Sequence, residues 1–342
     1  MITAQRRAIL LAALAAVGLG LRAGAGSQWA FMHAVGLRES RAYFVLEWND
    51  VHESRSIGDI LLGEAGSWVR TSYDYYCVAV DFAAPVSNVV WAQRLPGDFF
   101  RVGMRVLNDD TVVLFTGPMG IEGAHRSYRG LRISSDGVRE ILPPLQVDPA
   151  DKYYLTLGGE LYRVREGRCY LRDDPLRDEV PVDATPAAVV ALSDPDAARL
   201  AACTVRGWLS TVGSSDGVDR VGLFPVCAAA GEPRSVRLPS GIRGGAVVGL
   251  ADWPVAVCRD TDVRLWKCLD LTSGTFYARA AGSRTSFTEA FAAGGERRIL
   301  SFGGIEASRT GFLRRKTIRG QFELLTLPSG GITKHEFVFP CP

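Results

Sequence analysis

Lysine is nearly missing from this chain of 342 residues: of its 39 basic residues, 35 are Arg and only 4 are Lys. The skew is read first as a genome-wide bias and second as a capacity for Arg-based recognition. Asparagine is scarcer still. It stands at positions 49, 88 and 108, none of them in an N-x-S/T sequon, so N-glycosylation is not expected. The four histidines, His33, His52, His125 and His335, include no pair at i, i+2 or i, i+4 spacing. A histidine metal site would therefore need ligands from distant parts of the fold. There is no C-x-x-C, no Cys/His cluster at zinc spacing, no Gly-rich phosphate loop and no G-x-S-x-G elbow. No metal or cofactor is expected. A formal net charge of +2 is too small to argue for nucleic acid or an acidic membrane surface as partner.

Only the N-terminus carries an apolar run of note. Arg6 and Arg7 are followed by the thirteen residues Ala8 to Gly20 and then by Ala23-Gly24-Ala25, the order of a cleavable secretory signal. Thirteen residues fall short of the roughly 20 that span a bilayer. Gln5 to Leu10 also resembles a weak twin-arginine signal. Residues 1–25 are thus expected to be a signal peptide, with a signal anchor as the competing reading. The product would be secreted or periplasmic, without a membrane span once the signal is removed, and 26–342 would form a single domain. The seven cysteines all follow residue 76, and in an exported chain they can pair. Cys258 and Cys268, ten residues apart on successive strands, are the first choice for a disulfide; the odd number leaves at least one thiol over. The bland alternative is that several are small buried hydrophobes.

What the chain has in abundance is hairpins. A short strand, a polar or Gly turn and an apolar strand recur at Val106 to Phe115, Leu155 to Val164, Gly249 to Val257 and Ala293 to Phe302. A second hairpin follows in each unit, with turns near residues 86, 136, 173, 231, 273 and 329. Ser-Gly, Asp-Gly and Pro-containing turns between such runs are strong hairpin signals. The mean pitch is about 49 residues, the length of a four-stranded propeller blade. The expected fold is all-β: a β-propeller of about six four-stranded blades. The competing architecture is a β-sandwich or two small β domains. Ala197 to Cys203, after Ser193-Asp194-Pro195, is read as a long turn between strands, with a short helix capped by Ser193 as the alternative.

Within this pattern Ile299-Leu300-Ser301-Phe302-Gly303-Gly304 resembles the Gly-pair strand of kelch-type propellers. Tyr76 to Trp91 and Leu265 to Phe276 resemble the later half of that blade. Most units lack the Gly pair and the Trp. The resemblance implies the propeller fold and does not fix an activity, since propellers host many.

In a four-stranded blade the turns within the two hairpins lie on one face, and the connections between hairpins and between blades lie on the other. Three connections between hairpins read as long: Gly117 to Gly130, Arg206 to Arg220 and Gly303 to Gly311. Long loops with aromatic and Arg side chains are where recognition usually sits. His125, Arg126, Tyr128, Trp208 and Arg309 are therefore the candidate contact residues, and the expected function is a propeller binding protein that recognises a protein or glycan through one face. The rival is a glycan-active enzyme with carboxylates such as Asp109-Asp110, Asp173-Asp174 and Glu122 around the central channel. Turn-forming Asp is the default reading for these acids.

Overall fold

The computed structural model describes residues 27–54, 67–83, 87–97, 102–117, 127–141, 144–215, 218–260, 266–278, 288–293, 296–310, 315–327 and 329–342. The N-terminal segment 1–25 lies outside them, as do His125 and Arg126. The described chain forms six antiparallel sheets in succession, each with four strands in sequence order. Blade 1 is β1 (Ser27–Arg38), β2 (Arg41–Ser54), β3 (Ser67–Asp81) and β4 (Asn88–Leu95). Blade 2 is β5 (Val102–Val106), β6 (Val112–Thr116), β7 (Ser127–Ser134) and β8 (Gly137–Glu140), with the short β9 (Leu145–Gln146) paired to β7. Blade 3 is β10 (Lys152–Leu155), β11 (Leu161–Arg165), β12 (Arg168–Arg172) and β13 (Val180–Val182). Blade 4 is β14 (Leu200–Ala201), β15 (Trp208–Ser215), β16 (Val218–Pro225) and β17 (Arg234–Arg237). Blade 5 is β18 (Ile242–Leu250), β19 (Trp253–Asp260), β20 (Trp266–Asp270) and β21 (Phe276–Ala278). Blade 6 is β22 (Thr288–Ala293), β23 (Glu296–Thr310), β24 (Arg315–Leu327) and β25 (Gly331–Pro340). This is the all-β, six-bladed propeller expected from the hairpin pitch; the sandwich alternative is set aside.

The second strand of each blade explains the continuous apolar runs. It is covered on both sides by neighbouring blades, so both sets of alternating side chains are buried. On β2, Ala42, Phe44, Leu46 and Trp48 join the core shared with blade 6, while Tyr43 and Val45 join the core shared with blade 2. On β6, Val112 and Leu114 face blade 1, and Val113 and Phe115 face Leu161 of blade 3. On β19, Ala256 and Cys258 face blade 4, and Val255 and Val257 face Ile299 and Leu325 of blade 6.

That same alternation overturns the expected disulfide. Cys258 pairs in register with Lys267, and Cys268 pairs with Val257. The two cysteines are thus one residue out of step and leave the sheet on opposite faces, in two different cores. None of the seven cysteines is in a disulfide, and five of them are buried. Burial pushes the Cys258 thiol up to about 12.

Several local expectations also change. Gly303 and Gly304 do not end a strand as the kelch pattern requires. They sit at a bulge inside β23, where the register shifts between Phe302 and Gly304, so the kelch-type resemblance goes no further than the propeller. The region from 186 to 198 is helical: α1 (Pro186–Ser193), capped by Thr185 Oγ1 accepting from Ala188 N at 3.1 Å, and α2 (Pro195–Ala198), capped by Asp194 rather than Ser193. Ala188, Ala191 and Leu192 of α1 fill the core between blades 3 and 4, against Tyr162, Val164 and Leu209. Among the described residues no helix is long and apolar enough to cross a membrane.

The ring closes between blades 1 and 6 without exchanging a strand, since each of these sheets is built from consecutive chain. Side chains do the closing. Phe44 lies 5.0 Å from Phe337, centroid to centroid, and 5.5 Å from both Phe302 and Phe322. Tyr76 meets Phe339 at 5.1 Å. Toward the far end of the long strands, Arg309 Nη2 donates to Asp50 at 2.8 Å and Lys316 Nζ to Asp74 at 2.6 Å.

Candidate functional site

The inner strands end, on the face of the turns within the hairpins, around an axial pocket of about 280 Å³. Among the described residues, five blades contribute. Gly36, Leu37 and Arg38 come from the end of β1; Met104, Arg105, Val106 and Asn108 from β5 and its turn; Gly158 from the β10–β11 turn. Thr204 and Arg206 come from the β14–β15 connection, and Gly249, Leu250 and Ala251 from the end of β18 and its turn.

The wall is built by backbone contact between blades. Met104 N donates to Leu157 O at 2.9 Å, Gly158 N to Cys203 O at 3.2 Å and Thr204 N to Val247 O at 3.0 Å, and Gly249 N to Thr204 Oγ1 at 3.1 Å. Such bonds need the blades to approach closely, and glycine permits it. A Cβ on Gly158 would lie 2.6 Å from Thr204 O, and one on Gly103 would lie 2.3 Å from Thr156 O. Blades 2 to 5 are thereby held in a continuous arc around the pocket.

Three of the lining side chains are arginines, and among the described residues none is acidic. The acids stand behind them. Arg105 donates to Asp173, from Nη2 to the backbone O at 2.5 Å and from Nη1 to Oδ2 at 3.3 Å. Arg206 Nη2 bonds the same Asp173 Oδ2, and its Nε lies 3.7 Å from Glu160 Oε1. Arg38 Nη1 donates to Asn108 Oδ1 at 2.8 Å. The Arg105 Nε is buried and has no hydrogen-bond partner. Glu160, fully buried, accepts from Gly207 N at 3.0 and 3.1 Å and from the Tyr162 hydroxyl at 3.1 Å. Burial is the largest influence on its carboxyl and pushes it above the ordinary range, and the bonds from Gly207 N and Tyr162 only partly oppose that. The arginines line the pocket and Asp173 and Glu160 are not among its described lining residues, so a ligand entering it meets guanidinium groups already held in place.

The same face carries a staple at every boundary between blades. Arg41 and the Tyr43 hydroxyl (2.7 Å) hold Asp110 across blades 1 and 2, and Arg132 bridges Asp109 and Asp174, at 3.4 Å each, from blade 2 to blade 3. Arg206 ties blades 3 and 4, and Arg234 Nη1 donates to Thr272 Oγ1 at 3.3 Å across blades 4 and 5. Arg297 lies 3.6 Å from Asp270 across blades 5 and 6, and Arg298 Nη1 donates to Glu39 O at 2.7 Å across the closing boundary. The carboxylates named as candidate acids, Asp109, Asp110, Asp173 and Asp174, are all engaged in these ion pairs. Glu122 lies outside the described residues. Among the described residues no group of His, Cys, Asp or Glu is arranged to hold a metal ion.

The described contact candidates do not gather at this pocket. Tyr128 opens β7 at the opposite end of its blade, is buried, and packs on Tyr153 at 5.7 Å. Arg309 is also at that opposite end, but within β23 rather than in a loop, and it is paired to Asp50. Trp208 is buried at the start of β15, on the pocket face, against Gly231 and under Arg234. The join from Arg206 to Arg220 is not a loop; β15 and β16 pair through Ser215 and Val218. Reasoning on loop length missed Arg38 and Arg105 because they stand on inner strands, and it took Arg206, in the β14–β15 connection, only as the start of a long join. The usable signal was an Arg beside the first turn in three units: Leu37-Arg38, Met104-Arg105 and Val205-Arg206.

No protein-family model matches the chain, and no curated protein is similar to it in sequence. Among solved structures it is similar to the tricorn protease, with a TM-score of 0.29 and 10% identity over 88% of this chain and 30% of that one. It is similar to KlHsv2 with loop 6CD replaced by a Gly-Ser linker, with a TM-score of 0.35 and 10% identity over 92% of this chain and 100% of that one. A puromycin hydrolase gives a TM-score of 0.31 and 12% identity over 85% and 58%. The chain thus spans less than a third of the tricorn protease chain. Likeness at this level carries no functional argument; the propeller rests on the sheets themselves.

Proposed function

We propose that this protein is an exported propeller binding protein whose axial pocket takes an acidic group of its ligand: a carboxylate, sulfate or phosphate carried on a protein or glycan. The carrying observation is the pocket lining, which among the described residues holds Arg38, Arg105 and Arg206 and no acid. Guanidinium forks match such oxyanions in geometry as well as charge. Export is supported by the order of residues 1–25. The binding reading is favoured over the enzyme because the carboxylates near the axis are paired to arginines and serve the boundaries between blades.

The test is calorimetric titration of the mature protein with citrate, inorganic phosphate, a polygalacturonate oligomer and a sulfated oligosaccharide. At least one is expected to bind, with affinity falling as salt rises. Arg206→Ala, a well-exposed side chain, is expected to weaken that binding by about tenfold, or about 1.4 kcal/mol. Absence of binding for all four, or binding that Arg206→Ala and Arg38→Ala leave unchanged, overturns the proposal.

A further inference from the structure

The opposite face holds a second arrangement that the axial pocket does not use. Blade 1's strands β2 and β3 run past the end of β4, whose last pair is Leu95 with Tyr75. Beyond that point the register sets Trp29, Asn49 and Tyr73 in one row, and the row before it is Phe31, Glu47 and Tyr75. Residues directly opposite one another share a face of the sheet, so both rows stand on one side. The other side of the same strands, with Trp48 and Asp50, is turned to Lys316 and Arg309 of blade 6.

Each row is therefore ring, polar group, ring. Trp29, Phe31 and Tyr73 are 39%, 43% and 39% exposed, among the most exposed large hydrophobic residues of the described chain. Trp29 and Phe31 meet edge to face at 6.4 Å, and Tyr73 and Tyr75 do so at 5.9 Å. Glu47 is buried and bonded to His33, which leans on Tyr75 at 5.5 Å. Asn49 is 1% exposed, and neither its amide oxygen nor its amide nitrogen has a hydrogen-bond partner.

A buried amide with both ends unpaired carries a desolvation penalty that folding leaves uncompensated. The chemistry that would answer it is a neighbouring donor and acceptor on a body with apolar faces. A sugar ring has this: adjacent hydroxyls that give and take hydrogen bonds, and C–H faces that lie against aromatic rings. We infer that the Trp29–Asn49–Tyr73 row is a saccharide-binding site, with the two exposed rings flanking a pyranose and the Asn49 amide bonding its hydroxyls once a flanking ring turns aside. This site is separate from the axial pocket and does not depend on the reading given for it.

The probes are cellohexaose, mannohexaose and chitohexaose, titrated into the mature protein and followed by tryptophan fluorescence and saturation-transfer NMR. At least one is expected to bind, with saturation transferred to the sugar from aromatic protons. Trp29→Ala and Asn49→Ala are each expected to weaken it by about tenfold. Asn49→Ala removes no hydrogen bond, so its melting temperature is expected to be unchanged or higher; a merely structural Asn49 would lower it. Arg206→Ala is expected to leave saccharide binding intact, which separates this site from the axial one. No binding of any of the three up to about 10 mM, at the weak end of measurable affinity, overturns the inference. So does binding that ignores both variants, or Trp29-dependent attachment to phosphatidylcholine vesicles with no sugar bound, which would mark the rings as a lipid contact.

Discussion

Phe44→Ala is the sharpest probe of how this ring closes. Phe44 is fully buried on β2 and touches three rings of blade 6, Phe302, Phe322 and Phe337, at centroid distances of 5.0 to 5.5 Å. Truncating a buried Phe costs about 3–5 kcal/mol. The loss of three aromatic contacts puts this site near the top of that range, at about 4–5 kcal/mol. With roughly 2.1 cal/mol/K of unfolding entropy per residue over roughly 300 folded residues, the melting temperature should fall by about 6–8 °C. The location adds a second signature. Blades 2 and 3 are joined by consecutive chain, but blades 1 and 6 meet through side chains and, among the described residues, no backbone hydrogen bond joins them. The comparison is Phe115→Ala, an equally buried ring at the boundary of blades 2 and 3. Denaturation and hydrogen exchange should show similar losses of stability, with accelerated exchange in β1 and β25 for Phe44→Ala alone. A loss below about 1 kcal/mol, or exchange in those strands no faster than in Phe115→Ala, would refute closure by the aromatic seam.

Two other perturbations test the pocket wall. Gly158→Ala forces a Cβ to within 2.6 Å of the Thr204 backbone oxygen, so it is expected to destabilise by about 1–3 kcal/mol in thermal denaturation. Gly213→Ala, with open space around it, should be near neutral; equal losses at both would remove close approach as the cause. Burial raises the folded-state pKa of Glu160 above its unfolded value. For an acid raised in this way the native state keeps its proton longer, so the contribution is fully present below the unfolded pKa and is lost as pH rises through the folded one. Glu160→Gln is therefore expected to flatten the fall in melting temperature between acidic and neutral pH, and an unchanged profile would contradict the burial argument.

The local pattern of this chain determined its strands and their grouping. The turn spacing gave four strands per unit, and the four hairpins first picked out are the first hairpins of blades 2, 3, 5 and 6. Turn chemistry and apolar runs are local properties, which is why they could be read along the chain. The helix at 186–193 was missed because its Ala and Val residues lack a clear polar face, and it is held by packing between blades 3 and 4. Contacts between distant residues were not legible. The choice between a disulfide and two buried thiols at Cys258 and Cys268 turned on a one-residue register offset, which only the pairing of β19 with β20 fixes. Trp208 and Arg309 looked like free contact groups until the fold buried one and supplied Asp50 to the other. The abundance of arginine was plain in the sequence. Which arginines serve only as boundary staples and which also line the pocket is decided by where the closed ring places each guanidinium and the acids within its reach, because ion pairs form across a few ångströms of space and not along the chain.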